Sequence, residues 1–177
     1  MKWALIAGAV LVGLIALMAV IGAALPKAHV VSRSARFQAQ PAFIWAAITD
    51  VEAYPEWRAG VTKVEVLPHQ PEKRWREVTS QGAITFEVAE SAPPHHLVSR
   101  IADPTLPFGG SWTYQIAPSS AGSTLTITEN GEVYNVFFRF LSRFVFGYTS
   151  SIDAWLNSLA KKSGEKIMIT SNAESVS

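Results

Sequence analysis

Residues Trp3 to Leu25 carry no charged side chain: after the opening tryptophan come only Ala, Leu, Ile, Val, Gly and Met, twenty-three uncharged positions in a row. At about 1.5 Å of rise per residue a helix of that length reaches about 35 Å, enough for a bilayer core of roughly 30 Å. Everything after it alternates apolar and polar residues between turns and closes on a long amphipathic stretch. The chain therefore reads as an N-terminal transmembrane anchor over 1–27, one compact domain over 28–169 and a disordered polar tail over 170–177. A cleaved signal peptide is the competing reading, since Lys2 supplies a minimal basic start and Gly22-Ala23-Ala24 offers small residues for cleavage. Signal-peptide apolar cores span only about 7–15 residues, which favours an uncleaved single-pass anchor in the membrane. Lys2 and the amino terminus on one flank, against Lys27, Arg33 and Arg36 on the other, leave its orientation open under the positive-inside rule.

A domain of about 140 residues buries roughly two-thirds of its unfolded surface and needs no covalent staple. The chain has no cysteine, which excludes disulfides, thiolate metal sites and a cysteine nucleophile. Fifteen Lys and Arg stand against fourteen Asp and Glu. With Lys2 ahead of the anchor the domain is neutral and has no basic stripe, which argues against a nucleic-acid partner. Lys161, Lys162 and Lys166 cluster where the last helix should end, and cations there face the negative pole of its dipole.

Pro26 to His29 reach at most about 14 Å when extended, so the domain must sit close to the headgroups. The first strand is expected over Val30–Ala39. Pro41 suits a first helical position, and Ile44, Ile48 and Val51 repeat at helical spacing. Asp50 is expected to cap a second short helix that breaks near Pro55. Six further strands follow between turn residues: Val61–Leu67, Lys73–Ser80, Ala83–Ser91, His95–Ala102, Ser111–Pro118 and Ser123–Val133. Their close spacing implies an antiparallel meander. Phe137, Leu141, Phe144, Tyr148, Ile152, Trp155 and Leu159 fall three and four apart, which predicts one long helix over about 134–169. The fold class is α+β: one curved antiparallel sheet with a long C-terminal helix on its concave face.

Three groups of residues resemble the SRPBCC superfamily, also called START-like or helix-grip proteins, and within it the polyketide cyclase/dehydrase branch. The first is Pro41-Ala42-Phe43-Ile44-Trp45-Ala46-Ala47-Ile48-Thr49-Asp50 running into Tyr54-Pro55-Glu56-Trp57. The second is Glu90-Ser91-Ala92-Pro93-Pro94-His95-His96-Leu97. The third is Gly110-Ser111-Trp112-Thr113-Tyr114, then Thr126 to Val133, then the aromatic helix with Arg139, Arg143 and Phe146-Gly147. The resemblance runs from about Val30 to Met168. It implies a seven-stranded sheet gripping the last helix, with a cavity between them for an apolar molecule such as a lipid, sterol, polyketide or quinone. Only some members of this superfamily catalyse a reaction.

Within that frame Glu129 stands out. Period two places it on the face of Leu125 and Ile127, and an inward carboxylate costs several kcal/mol unless paired or protonated. It either orients a ligand or acts as a general acid/base, or it is held in an ion pair, for example with Arg139 or Arg143, or it sits at a strand end that has already reached water. The same parity turns Trp112, Tyr114 and Ile116 inward. The residues expected to contact a ligand are Trp57, Trp112, Tyr114, Glu129, Phe137, Phe144 and Tyr148, with Glu129 the sole catalytic candidate. Glu87 and Arg100 are expected outward and solvated. No cofactor and no metal is expected: His95 and His96 point to opposite faces of a strand, while His29 in the linker and His69 in a turn read as surface residues. There is no Gly-x-Ser-x-Gly elbow, and Gly109-Gly110 precedes a strand rather than the helix that a phosphate loop requires.

Five phenylalanines fall within Phe137–Phe146 and cannot all face one sheet. Either this segment and the loop Pro104–Phe108 form an apolar rim beside the membrane, or the curved sheet wraps and buries them. Two functions follow. One is a membrane-anchored carrier or sensor whose partners are the bilayer and a hydrophobic small molecule. The other is a cyclase/dehydrase-type enzyme using Glu129. A protein-interaction module with a filled cavity is a third.

Overall fold

The computed structural model of the chain describes residues 2–68 and 73–171. His69, with the rest of the turn expected after Pro68, and 172–177 of the expected tail lie outside the described residues. Helix α1 (Lys2–Ala24) is followed by β1 (Ala28–Phe37), α2 (Pro41–Thr49), a 3₁₀ turn (Val51–Ala53) and α3 (Tyr54–Trp57). Then come β2 (Val61–Leu67), β3 (Arg74–Thr79), β4 (Gly82–Ala92), β5 (His96–Ile101), β6 (Phe108–Ser119) and β7 (Gly122–Val133). The chain closes with α4 (Val136–Leu141), a π turn (Ser142–Phe146), α5 (Ser150–Ser163) and β8 (Ile169–Ser171).

All pairings are antiparallel, in the order β2-β3-β4-β5-β6-β7-β1-β8. The meander is as the turn chemistry predicts, with one strand more than the expected seven. That strand uses residues read from the sequence as helix end and tail. Glu165 explains the return: its carboxylate accepts from the backbone N–H groups of Gln38 and Ala39 at 2.6 and 3.1 Å, turning the chain back along β1. Ile169, Thr170 and Ser171 then pair with Ala35, Ser34 and Arg33.

The core lies between the sheet and one face each of α2 and α5. Ile44 and Ile48 from α2 meet Leu125 and Ile127 from β7 and Ile152, Leu156 and Leu159 from α5, all buried. Their spacings of three and four on the helices and two on the strand are what this packing requires. Each such side chain contributes about 1.5–3 kcal/mol on leaving water. Asp50 makes no side-chain cap, and Pro55 sits in the first turn of α3 instead of breaking it.

The long final helix is broken. Asn135 starts α4 afresh, its Oδ1 accepting from the N–H groups of Phe137 and Phe138 at 2.9 and 3.3 Å. Gly147, at φ 74°, then stops the π turn in a conformation that costs a side-chain-bearing residue more than glycine. Only α5 lies in the grip of the sheet. The apolar positions before Gly147 keep helical phase but serve another surface: Phe137 and Phe144 are exposed.

That surface adjoins α1. Gly22 is the one buried residue of α1 and packs against the backbone carbonyl of Val136, so closely that a Cβ there would collide with it. Arg139, buried on α4, spends its guanidinium entirely on backbone. Its Nη1 donates to the carbonyls of Gly22 and Leu25, both at 3.3 Å, its Nε to Val133 at 2.9 Å and its Nη2 to Tyr134 at 3.0 Å. A cation on the last carbonyls of α1 also meets the negative end of that helix dipole.

Candidate ligand-binding cavity

A cavity of about 660 Å³ separates the concave face of the sheet from α5. Antiparallel register brings the end of β3, the starts of β4 and β6, the end of β7 and the start of β1 to one end of the sheet. The exposed lining residues Gln81, Phe138 and Gly147 lie at that end. The end of α1, four residues before β1, and the start of α4, three residues after β7, border it too.

Of the carboxylates that line this space, Glu129 and Glu77 each receive a tryptophan indole. On β7, Glu129 sits opposite Trp112 of β6, and the indole Nε1 donates to its Oε2 at 3.0 Å. Ser151, in the first turn of α5, donates to the same oxygen at 2.9 Å, where the helix N-terminus favours negative charge. The other oxygen, Oε1, is 3.5 Å from Nε2 of His29. That ring nitrogen is buried and has no hydrogen-bond partner among the described residues, and the ring stacks on Tyr148 at 3.9 Å. Glu129 keeps only 12 % of its side chain exposed, so its charge depends on these neighbours.

Deeper in, Glu77 of β3 accepts from Trp75 Nε1 at 2.9 Å and from Arg58 Nη1 at 2.8 and 2.9 Å. The guanidinium of Arg58 lies 4.6 Å from the ring centre of Tyr54, a cation–π distance. Burial works against the charge of Arg58, but Glu77 beside it outweighs that and holds its pKa above the usual arginine value. Burial pushes the Tyr114 hydroxyl up to about 12, so it stays protonated at any physiological pH. Trp155 of α5 completes this wall, with its buried indole N–H unpartnered among the described residues. The cavity thus offers an aromatic surface and two carboxylates anchored by indole N–H groups.

A family model described as polyketide cyclase / dehydrase and lipid transport matches residues 28–164. The chain belongs to that family. Its fold is also that of a START superfamily protein from Mycobacterium smegmatis, at 17 % identity over 77 % of this chain and 97 % of the other, with a TM-score of 0.62. The Zhui aromatase/cyclase from Streptomyces sp. R1128 shares 16 % identity over 77 % of this chain and 92 % of its own, at a TM-score of 0.58. A Thermobifida fusca protein solved by NMR shares 20 % over 76 % and 93 %, at 0.59. At these identities the likeness is one of fold. No curated protein matches the sequence.

On this family's sheet, strand parity places Trp112, Tyr114 and Glu129 at the cavity, and Tyr148 lines it near the open end. Trp57, Phe137 and Phe144 are not among the lining residues. Trp57 is half-buried beside α5, edge-on to Trp155 at 5.4 Å, and the two phenylalanines lie on the separate α4 surface. Neither arginine expected near Glu129 pairs with it, because Arg139 is committed to backbone carbonyls and the pairing group is His29. His29 is no linker residue: β1 begins at Ala28, two positions earlier than expected, and carries its ring into the cavity. Glu87 does lie on the outer face but is buried there, clamped between Arg74 and Arg100. Arg58 and Glu77 escaped the sequence reading, although Trp75-x-Glu77 alternates in the same sense as Ile127-x-Glu129.

Proposed function

We propose that this family member is a membrane-tethered binding protein for a hydrophobic small molecule that carries a polar group, held between the sheet and α5. The observation that carries this reading is the cavity itself. Its volume falls within the roughly 300–1,000 Å³ of small-molecule sites, and its aromatic lining converges on a few polar atoms. The body of the guest packs against Tyr114, Trp155 and Ile127, and its polar group meets His29 and Glu129. The family's association with lipid transport supports the same class of guest.

Helix α1 is long and apolar enough to cross a membrane, and we read it as retained. Cleavage after Ala24 would take away the Gly22 carbonyl that Arg139 holds and leave a buried cation short of a partner.

The test is native mass spectrometry of the full chain purified from its host in mild detergent. A chain carrying one added lipophilic mass is the expected result. A chain at its bare mass, under conditions that keep a control lipid-binding protein loaded, would refute the reading.

One observation favours a second reading, acid–base catalysis as in the aromatase/cyclases. His29 Nε2 and Glu129 Oε1, 3.5 Å apart inside the cavity, are placed to exchange a proton with a bound molecule. Turnover of a polyketide-like substrate that disappears in Glu129→Gln while binding persists would establish it. Equal turnover in that variant would remove it.

A further inference from the structure

Helix α4 and the π turn after it present an apolar surface that the domain does not cover. Phe138 is 44 %, Phe144 59 % and Val145 62 % exposed. Arg143 is the one exposed charge between Val136 and Gly147. The other cation, Arg139, is turned inward onto backbone carbonyls, which leaves no buried charge to be hydrated from this side.

The depth of this surface follows from its contact with α1. Gly22, packed on the carbonyl of Val136, lies five residues before Lys27, the first charge after the apolar run. Helix α1 ends at Ala24, so from Gly22 it rises only about 3 Å more before the non-helical Leu25 and Pro26 lead on to Lys27. An α1 that spans the bilayer with Lys27 at the headgroups therefore holds Val136 below them, at the depth of the upper acyl chains. The exposed phenylalanines start one residue later. Phe138 and Ser142 also line the cavity, so the same short segment has an exposed apolar surface on one side and the cavity on the other. Phe108 lines the cavity too, after a loop whose Pro107 carbonyl accepts from Tyr134 N–H, two residues before α4, at 2.9 Å.

We propose that α4 and the π turn are embedded in the leaflet that receives the C-terminal end of α1, so that the cavity mouth between Phe108 and Phe138 opens to acyl chains rather than to water. A guest then passes from leaflet to cavity without exposing its apolar surface to bulk water. This inference rests on the reading of α1 as a retained membrane helix, and it is independent of what occupies the cavity.

The chain has no cysteine, so single cysteines introduced into the full protein give clean label sites. Val145→Cys and Phe144→Cys report on the π turn, Leu11→Cys on the middle of α1, and Ser120→Cys on the β6–β7 turn at the far end of the sheet. Each carries an environment-sensitive fluorophore in phosphatidylcholine nanodiscs and is quenched either by lipid-borne or by water-soluble nitroxide. The expected result is lipid quenching at positions 144, 145 and 11 several-fold stronger than at 120, with the order reversed for the aqueous quencher. Positions 144 and 145 behaving like 120 while 11 is lipid-quenched would overturn the proposal and leave the anchor standing. Aqueous quenching at 11 as well would overturn both.

Discussion

Trp112 and Glu129 face each other across β6 and β7, and the indole Nε1 donates to the carboxylate at 3.0 Å. A large aromatic wall and an inward charge are thereby fixed by one cross-strand pair, with the charge held at the open end of the cavity. Trp112→Phe keeps the wall and removes the donor. It should lower stability by about 1 kcal/mol, the net worth of a hydrogen bond to a charged group that keeps a second partner in Ser151. Thermal unfolding of the full chain in nanodiscs measures this, and an unchanged midpoint would mean that the pair contributes nothing.

Arg139 ties the end of α1 to the domain. Arg139→Met preserves the length of the side chain and strands four carbonyl acceptors, at a cost of about 2–4 kcal/mol. Arg139→Lys should recover little of it, because an ammonium cannot reach carbonyls on three sides as a planar fork does. Limited trypsin digestion should then cut at Arg143 several-fold faster in both variants than in the parent protein.

Gly22→Ala is a sharper probe of the same junction. Its methyl group would occupy the space of the Val136 carbonyl, so α1 and α4 must separate. Faster amide exchange confined to α4 and the last turn of α1, with α5 unchanged, is the expected outcome.

Glu87 supplies a dependence on pH. The hydrogen bond from Arg74, helped by Arg100, outweighs burial and holds its pKa below the ordinary glutamate value. A carboxylate with a depressed folded-state pKa contributes stability above its unfolded value, near about 4.3, and that contribution fades as pH falls through the lower folded value. Glu87→Gln should therefore cost roughly 1–2 kcal/mol at pH 7, a modest figure because Arg100 is largely exposed. The gap from the parent protein should narrow as pH falls below the ordinary glutamate value, as followed by urea unfolding at a series of pH values.

The architecture was legible because strand parity and turn chemistry act locally. Leu125, Ile127 and Glu129 had to share a face, and Ile152, Trp155 and Leu159 had to form one side of a helix. The break at Gly147 was hidden because apolar residues keep helical phase on both sides of it, although they serve different surfaces. His29 was hidden for another reason: its burial depends on a partner across the cavity, Tyr148, more than a hundred residues away. No local pattern marks such a contact. Glu87 shows the same limit, since parity sends it outward but only Arg74 and Arg100, from strands on either side, close over it. Glu77 was open to the alternation argument applied to Glu129, in the strand beginning at Arg74, whereas Arg58, just past the end of α3, had no such pattern to mark it.

Photo-crosslinking tests the central claim most directly. A long-chain lipid with a diazirine near its tail end, incorporated into nanodiscs with the full protein, marks whatever it touches on illumination, and peptide mapping locates the bonds. A guest lodged between sheet and helix should label β7 and α5 peptides containing Ile127 and Trp155, in addition to the outer surfaces of α1 and α4. Labelling confined to α1 and α4, with the β7 and α5 peptides unmodified at saturating lipid, would mean that the cavity admits no such molecule and would contradict the account.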